Sequence, residues 1–262
     1  MEENTNIEKR ISDICRRCQE KYVPIFTAFF TQEQQVIVKK TSDAYPEVLC
    51  VFFGGITGAE RKIAGFFPSE IYAYSEQDAV MSPDLEEMAE LAYIKISGSG
   101  FVEFSHRHIL GTLMAIGIKR ETIGDIVISD DKSSVYVVVI KSVVQYICAE
   151  LDRVSKDKVK VSQVKKSDVP IKEQRFLDIS LTIASIRLDA LVSGALSISR
   201  DKAKKLICSG KVQINHAECS ICDREFSEGD IITVRGEGKY IVDSFLGKSA
   251  KGRYRVVVRK YL

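Results

Sequence analysis

Arg187-Leu-Asp-Ala-Leu-Val-Ser-Gly-Ala-Leu-Ser-Ile-Ser199-Arg-Asp-Lys-Ala-Lys-Lys-Leu-Ile-Cys-Ser-Gly210-Lys-Val-Gln-Ile-Asn215 is the stretch on which the architecture turns. Leu188, Leu191 and Val192 fall at helical spacing and predict one buried stripe, with Arg187 on its rim. Ser199 stands where an N-cap belongs, its hydroxyl able to accept from a free backbone N–H. Ala203, Leu206 and Ile207 give the apolar face of a second helix. Gly210 ends that helix as a C′ glycine. With this face inward, Arg200, Lys202, Lys204 and Lys205 emerge on the remaining surface, Arg200 and Lys204 one turn apart. Arg200 also lies near the helix N-terminus, where the dipole and free N–H groups favour a phosphate. A strand over 211–215, a turn at Glu228-Gly229-Asp230 and a strand over 231–234 entering Arg235-Gly236 complete the block.

Charge is distributed unevenly around this block. The chain has a formal net charge of +2, yet residues 183–262 carry 15 Lys/Arg against 9 Asp/Glu, a net of +6, and the remainder carries 23 against 27, a net of −4. A basic module beside an acidic one points to a polyanionic partner, because each cation placed at a phosphate releases a condensed counterion. Near the C-terminus, alternation places Arg253, Arg255 and Arg259 on one strand face and Tyr254, Val256 and Val258 on the other. This basic ridge extends the expected nucleic-acid surface.

Upstream, the 262 residues leave room for two or three modules. A helix over 6–20 with Ile7, Ile11 and Ile14 on one face, a second over 31–40 and a strand over 47–53 closed by Gly54-Gly55 predict a small α/β or mostly helical unit ending near Pro68. Between 85 and 166 the periods alternate: strand 91–97, helix 107–116, strand 125–129, strand 135–140, helix 143–153, strand 158–164. That βαββαβ order predicts a ferredoxin-like sandwich, the architecture also used by the RNA recognition motif, although its inner strands lack that motif's aromatic signature. A linker over 165–173 containing Pro170 and a strand over 175–183 lead into the basic module. The expected fold class is α+β, with domains over 1–75, 76–170 and 171–262.

No window approaches the roughly 18 uninterrupted apolar residues of a membrane span, and the polar start predicts neither signal nor transit peptide. A cytoplasmic protein with seven reduced cysteines is expected. Cys15-x-x-Cys18 and Cys219-x-x-Cys222 each lack a partner pair nearby and read as free thiols, and His106 and His108 do not read as metal ligands. No P-loop, dinucleotide fingerprint, nucleophile elbow or zinc-protease pair is present, so neither cofactor nor metal is expected. Two rival readings stand beside non-enzymatic RNA binding. One is an RNA-modifying enzyme with its active site within 1–170; the other is an adaptor that recruits a protein through its acidic N-terminal half.

The block over 183–242 resembles the RNA-binding domain named after small-subunit ribosomal protein S-four. It carries Arg187-Leu-Asp, the Ser199-Arg run through Gly210 to Asn215, the Gly229-Asp230 turn and the following Val-Arg235-Gly. The resemblance implies that two helices and a small sheet cup folded RNA, and that Arg187, Ser199, Arg200, Lys204, Lys205, Lys211 and Arg235 contact it. His216 departs from the pattern, since relatives usually have Gly after the Asn. Two further segments, Phe53-Gly-Gly-Ile-Thr-Gly-Ala-Glu-Arg-Lys62 and Ser105-His-Arg107 through Lys119 to Gly124-Asp125, resemble the YlmH family of bacterial proteins bearing this domain. That resemblance runs nearly full length. It implies an N-terminal domain, an RRM-like middle domain, and association of a monomer with rRNA or tRNA on the large ribosomal subunit, in quality control of stalled nascent chains. Glu60, Arg61, Lys62, His106, Arg107 and Lys119 become candidate RNA or ribosome contacts. Charge reversal at Arg200 and Lys204 is expected to abolish ribosome co-sedimentation with the fold intact.

Overall fold

Ile11, Ile14, Cys15 and Cys18 fall at i, i+3, i+4 and i+7, so helix α1 (Glu2–Lys21) turns one apolar stripe inward. In the computed structural model, which describes residues 2–72, 83–99, 102–170 and 175–262, the chain divides into two units, residues 1–172 and 173–262. In the first unit, α1 is followed by β1 (Ile25–Phe30), α2 (Gln32–Ser42), β2 (Val48–Phe53) and β3 (Lys62–Pro68), the strands forming an antiparallel sheet in the order β1-β3-β2. Thr31 caps α2 in a reciprocal box with Gln34. Both helices pack on Phe30, Cys50, Phe52, Ala64 and Phe66, while Phe29, Val51, Phe53, Ile63 and Phe67 face the other way. β1 and β3 were not anticipated: each is an apolar run buried on both faces, so the alternation that marks a half-exposed strand is missing.

The chain continues through α3 (Pro83–Met88), β4 (Leu91–Ser97), α4 (His106–Ala115), β5 (Ile123–Ile128), β6 (Ser134–Ile140) and α5 (Val144–Glu150). A small hairpin, β7 (Arg153–Val154) with β8 (Asp157–Lys158), then precedes β9 (Lys160–Val164). The anticipated βαββαβ order is present, and the four long strands pair antiparallel as β5-β6-β4-β9. The second helix stops at Glu150, three residues short of the expectation, because Arg153 starts the unforeseen hairpin. Ala92, Ile94 and Ile96 pack beneath Ile109, Leu113 and Ile147 of the helices. Tyr93, Val127 and Val138 point to the opposite face, where they share one buried cluster with Phe29, Val51, Phe53, Ile63 and Phe67. The two sheets are therefore packed face to face. Val169, within the expected linker, is 8% exposed and joins the same cluster; residues 171–174, and the expected boundary at 75/76, lie outside the described residues.

In the second unit, β10 (Phe176–Ile183) leads to α6 (Leu188–Ala195), α7 (Arg200–Cys208), β11 (Val212–Ile214), β12 (Ala217–Glu218), β13 (Ile231–Val234), β14 (Gly238–Lys248) and β15 (Tyr254–Tyr261). The sheet is antiparallel in the order β10-β15-β14-β13-β11-β12, and β10 and β15 stay in register from Phe176↔Tyr261 to Ile183↔Tyr254. Leu188, Leu191, Val192, Ala203 and Ile207, all fully buried, hold both helices on the sheet.

Candidate nucleic-acid interface

Asp189 sits in the first turn of α6 with no exposed surface. Its Oδ1 accepts from Arg187 Nε at 3.3 Å, and its Oδ2 accepts from Arg200 Nη2 at 2.7 Å and Nε at 3.3 Å. A buried carboxylate needs such partners, since an unpaired one costs several kcal/mol. The arginines need less: their side chains remain 40% and 41% exposed, and each guanidinium carries five N–H donors, most of them unspent. One acid thus orients two cations, leaving a net charge of +1 and fixing both forks in advance of any ligand. Arg200, expected as a free phosphate-binding cation, is instead half-spent on Asp189. The role of Asp189 escaped the sequence reading, although an acid inside an apolar stripe, flanked by arginines 2 and 11 residues away, was the available signal.

Ser199 accepts from Lys202 N at 3.3 Å as the N-cap of α7, and Gly210 ends the helix at φ +69°. Lys202, Lys204 and Lys205 are exposed, and none of them, nor Lys211 or Arg235, is in an ion pair among the described residues. Lys211 and Arg235 come together because Arg235 N donates to Lys211 O at 2.8 Å, and they line a shallow hollow with Gly210, Gln213 and Thr233. At the neighbouring hairpin, Asn215 and His216 both take the left-handed conformation, φ +49° and +67°. That is the geometry of a two-residue primed turn, so His216 occupies the place for which glycine is suited.

The C-terminal arginines separate. Arg255 is exposed on β15. Arg253 precedes the strand, in a turn where Ser249 N donates to its carbonyl at 2.7 Å. Arg259 shares the face of Arg255, but its Nη2 lies 2.6 Å from Asp243 Oδ1 and its guanidinium 4.9 Å from the Phe176 ring centre. The expected three-arginine ridge is therefore one exposed strand cation, one turn cation and one neutralised arginine.

Arg61 is 9% exposed and is not a surface cation as anticipated. Its Nε donates to Ile123 O at 2.8 Å, and its Nη2 donates to Phe29 O at 3.2 Å and Arg120 O at 3.1 Å. Asp125 accepts from Glu60 N at 2.7 Å and Arg61 N at 2.9 Å. Burial lowers the Arg61 pKa to about 10, with nearby Arg120 adding to the shift, and burial likewise raises that of Asp125. Tyr93 Oη donates to Gly55 O at 2.8 Å, and a Cβ on Gly124 would meet the Phe29 ring at 2.7 Å. The residues from Gly54 to Arg61 and the Gly124-Asp125 pair thus lock the two sheets together. Glu60 keeps an exposed side chain and Lys62 is half-buried.

His106, Arg107 and Lys119 are exposed at the start of α4 and beyond its end, with Ser105 capping that helix by accepting from His108 N at 3.3 Å. They do not share the sheet face on which an RNA recognition motif stacks bases, because that face is covered by Phe29, Val51, Phe53 and Phe67.

Fold and site together define an α+β protein that presents preoriented cations on two short helices of its C-terminal unit. Residues 85–168 match a family model described as "Putative RNA-binding domain in YlmH". The chain is 30% identical over 248 residues, covering 94% of this chain and 90% of the other, to Ribosome-associated protein quality control protein P2 of Bacillus subtilis. It belongs to the YlmH family. A solved structure, Cell division protein ylmH from Streptococcus pneumoniae, shares the fold with a TM-score of 0.50 at 15% identity, over 64% of this chain and 95% of that one.

Proposed function

We propose that the protein binds structured ribosomal or transfer RNA on the large ribosomal subunit, as a monomer and without catalysing a reaction, in the handling of stalled nascent chains. The observation that carries this reading is the surface of α7 and its surroundings: Lys202, Lys204, Lys205, Lys211 and Arg235 exposed beside two arginines aimed by one buried acid. Cations held this way meet phosphates with little ordering cost, which suits folded RNA read by backbone and shape. The two helices on a small sheet support an S-four-type module, and the strand order β5-β6-β4-β9 supports an RRM-like middle part. The printed names of the family model and of the Bacillus subtilis relative, RNA-binding and ribosome-associated quality control, agree with this role.

In the middle part, the sheet face is committed to packing, so any RNA contact it makes comes from its helix side, where His106, Arg107 and Lys119 are exposed. The test is co-sedimentation of the full chain with purified large subunits. Lys204→Glu with Lys205→Glu is expected to remove the protein from the pellet, and equal sedimentation of variant and parent overturns the assignment. Crosslinking the bound RNA and sequencing it identifies the element. An adaptor would instead keep its protein partner after RNase treatment.

A further inference from the structure

Cys208 ends α7 and is exposed, Cys222 lies half-buried in the loop after β12, and their Sγ atoms approach to 3.5 Å. The loop has a second attachment: Asp189 N donates to Cys222 O at 3.0 Å and Leu188 N to Arg224 O at 2.9 Å, so it satisfies free amides at the start of α6. Cys219 belongs elsewhere, since it is buried with its thiol directed at Ile221 O. Among the described residues no group of three or more His, Cys, Asp or Glu is placed to hold a metal ion, which leaves two thiols facing each other.

We propose that Cys208 and Cys222 are a peroxide-responsive dithiol that closes into a disulfide and staples the end of α7 to the loop capping α6. The sulfurs need to close by roughly 1.5 Å to reach bonding distance, a shift within the reach of side-chain rotation. The Cys208 thiolate attacks one oxygen of hydrogen peroxide, the O–O bond breaks and hydroxide leaves, giving a sulfenic acid. The Cys222 thiolate then displaces hydroxide from that sulfur and the S–S bond forms. In sum, two thiols lose two electrons and two protons, and one peroxide becomes two waters. Burial, and next the hydrogen bond with Cys208, hold the Cys222 thiol above its ordinary pKa, consistent with exposed Cys208 reacting first.

The other thiols provide the contrast. Burial pushes Cys15 up to about 12 and Cys18 to about 11, which keeps them protonated, while Cys148 is exposed on α5 in the other unit. A disulfide in a reducing compartment is generally a transient, sensing one. The inference rests on the placement of the sulfurs and is independent of what α7 binds.

The full chain, reduced and freed of reductant and chelatable metal, is titrated with hydrogen peroxide, quenched with N-ethylmaleimide, digested and mapped by mass spectrometry. Expected is a Cys208–Cys222 crosslink that appears before Cys148 is consumed, disappears with dithiothreitol, and is absent in Cys208→Ser. The crosslinked protein's C-terminal unit should melt higher by roughly 12–24 °C, the effect of closing a loop of about 15 residues in an unstrained bond. Faster oxidation of Cys148, a Cys219–Cys222 link in its place, or stoichiometric zinc on the purified protein protecting both thiols, overturns the proposal.

Discussion

Truncating Arg200 and truncating Lys204 should have opposite signatures, although both residues lie on α7 one turn apart. Arg200→Ala removes the 2.7 Å and 3.3 Å contacts to Asp189 Oδ2 and, among the described residues, leaves a carboxylate of zero exposure with only the side-chain donor Arg187 Nε, at 3.3 Å. Breaking a fully buried pair from one side costs about 3–5 kcal/mol, and because the Arg200 side chain is itself 41% exposed, a loss below that range, about 2–3 kcal/mol, is expected. Lys204 is exposed and outside any ion pair among the described residues, so Lys204→Ala should stay within about 0.5 kcal/mol of the parent. Denaturant unfolding of the full chain, with amide exchange read over 188–208, measures both. In RNA binding the order reverses in kind. Losing one phosphate contact flattens the salt dependence by about 0.7–0.9 in log–log slope, so from 50 to 200 mM salt Lys204→Ala should lose about threefold less affinity than the parent. Charge reversal at Arg200, expected from sequence to leave the fold intact, would set a second carboxylate against Asp189 and is not a clean probe of binding. If Arg200→Ala unfolds with the parent, or Lys204→Ala unfolds as early as Arg200→Ala, the division of labour proposed for α7 is wrong.

Arg61→Lys should destabilise the first unit by about 2–3 kcal/mol, because an ammonium does not reproduce the fork that reaches Ile123 O, Phe29 O and Arg120 O; Lys62→Ala next to it should change stability by less than about 1 kcal/mol, and urea midpoints decide. Gly54→Ala would place a Cβ 2.3 Å from that of Ala59 and 2.6 Å from Arg61 O, and the backbone partner has little room to yield. A loss of about 2–3 kcal/mol follows, and a parent-like melting curve would contradict the close approach. His216→Gly should raise stability by up to about 1 kcal/mol through relief of the left-handed strain at φ +67°, and a lower melting temperature counts against it. In the β5–β6 turn, Asp131 accepts from Ser129 Oγ at 2.5 Å and from Ser133 Oγ at 2.6 Å and N at 3.1 Å, which lowers its pKa to about 2. Its contribution to stability is full above the unfolded value near 3.8 and is lost as pH falls through about 2, so carboxyl NMR should place its midpoint there, and a midpoint near 3.8 refutes the turn geometry.

Local pattern was enough to determine the two C-terminal helices, the Ser199 cap, the Gly210 stop, the βαββαβ order of the middle part and the basic character of the last 80 residues. These features depend on spacing within one or two turns of chain, and such spacing is written in the sequence. Only the tertiary structure decided which cations are available. Arg61 and Lys62 are adjacent and chemically alike, yet one is sealed between two sheets by Asp125 and three carbonyls, while the other keeps surface in solvent. Arg255 and Arg259 share a strand face, but Asp243, at the bulge of β14, pairs with the second. The partners that make these distinctions lie 16 to 64 residues away, and a buried charge is set by whatever the fold brings to it. The covering of the middle sheet by Phe29, Val51 and Phe53 belongs to the same category. An apolar strand face looks identical in sequence whether it meets a base, water or another sheet, and the contact that distinguishes them forms only when distant segments pack.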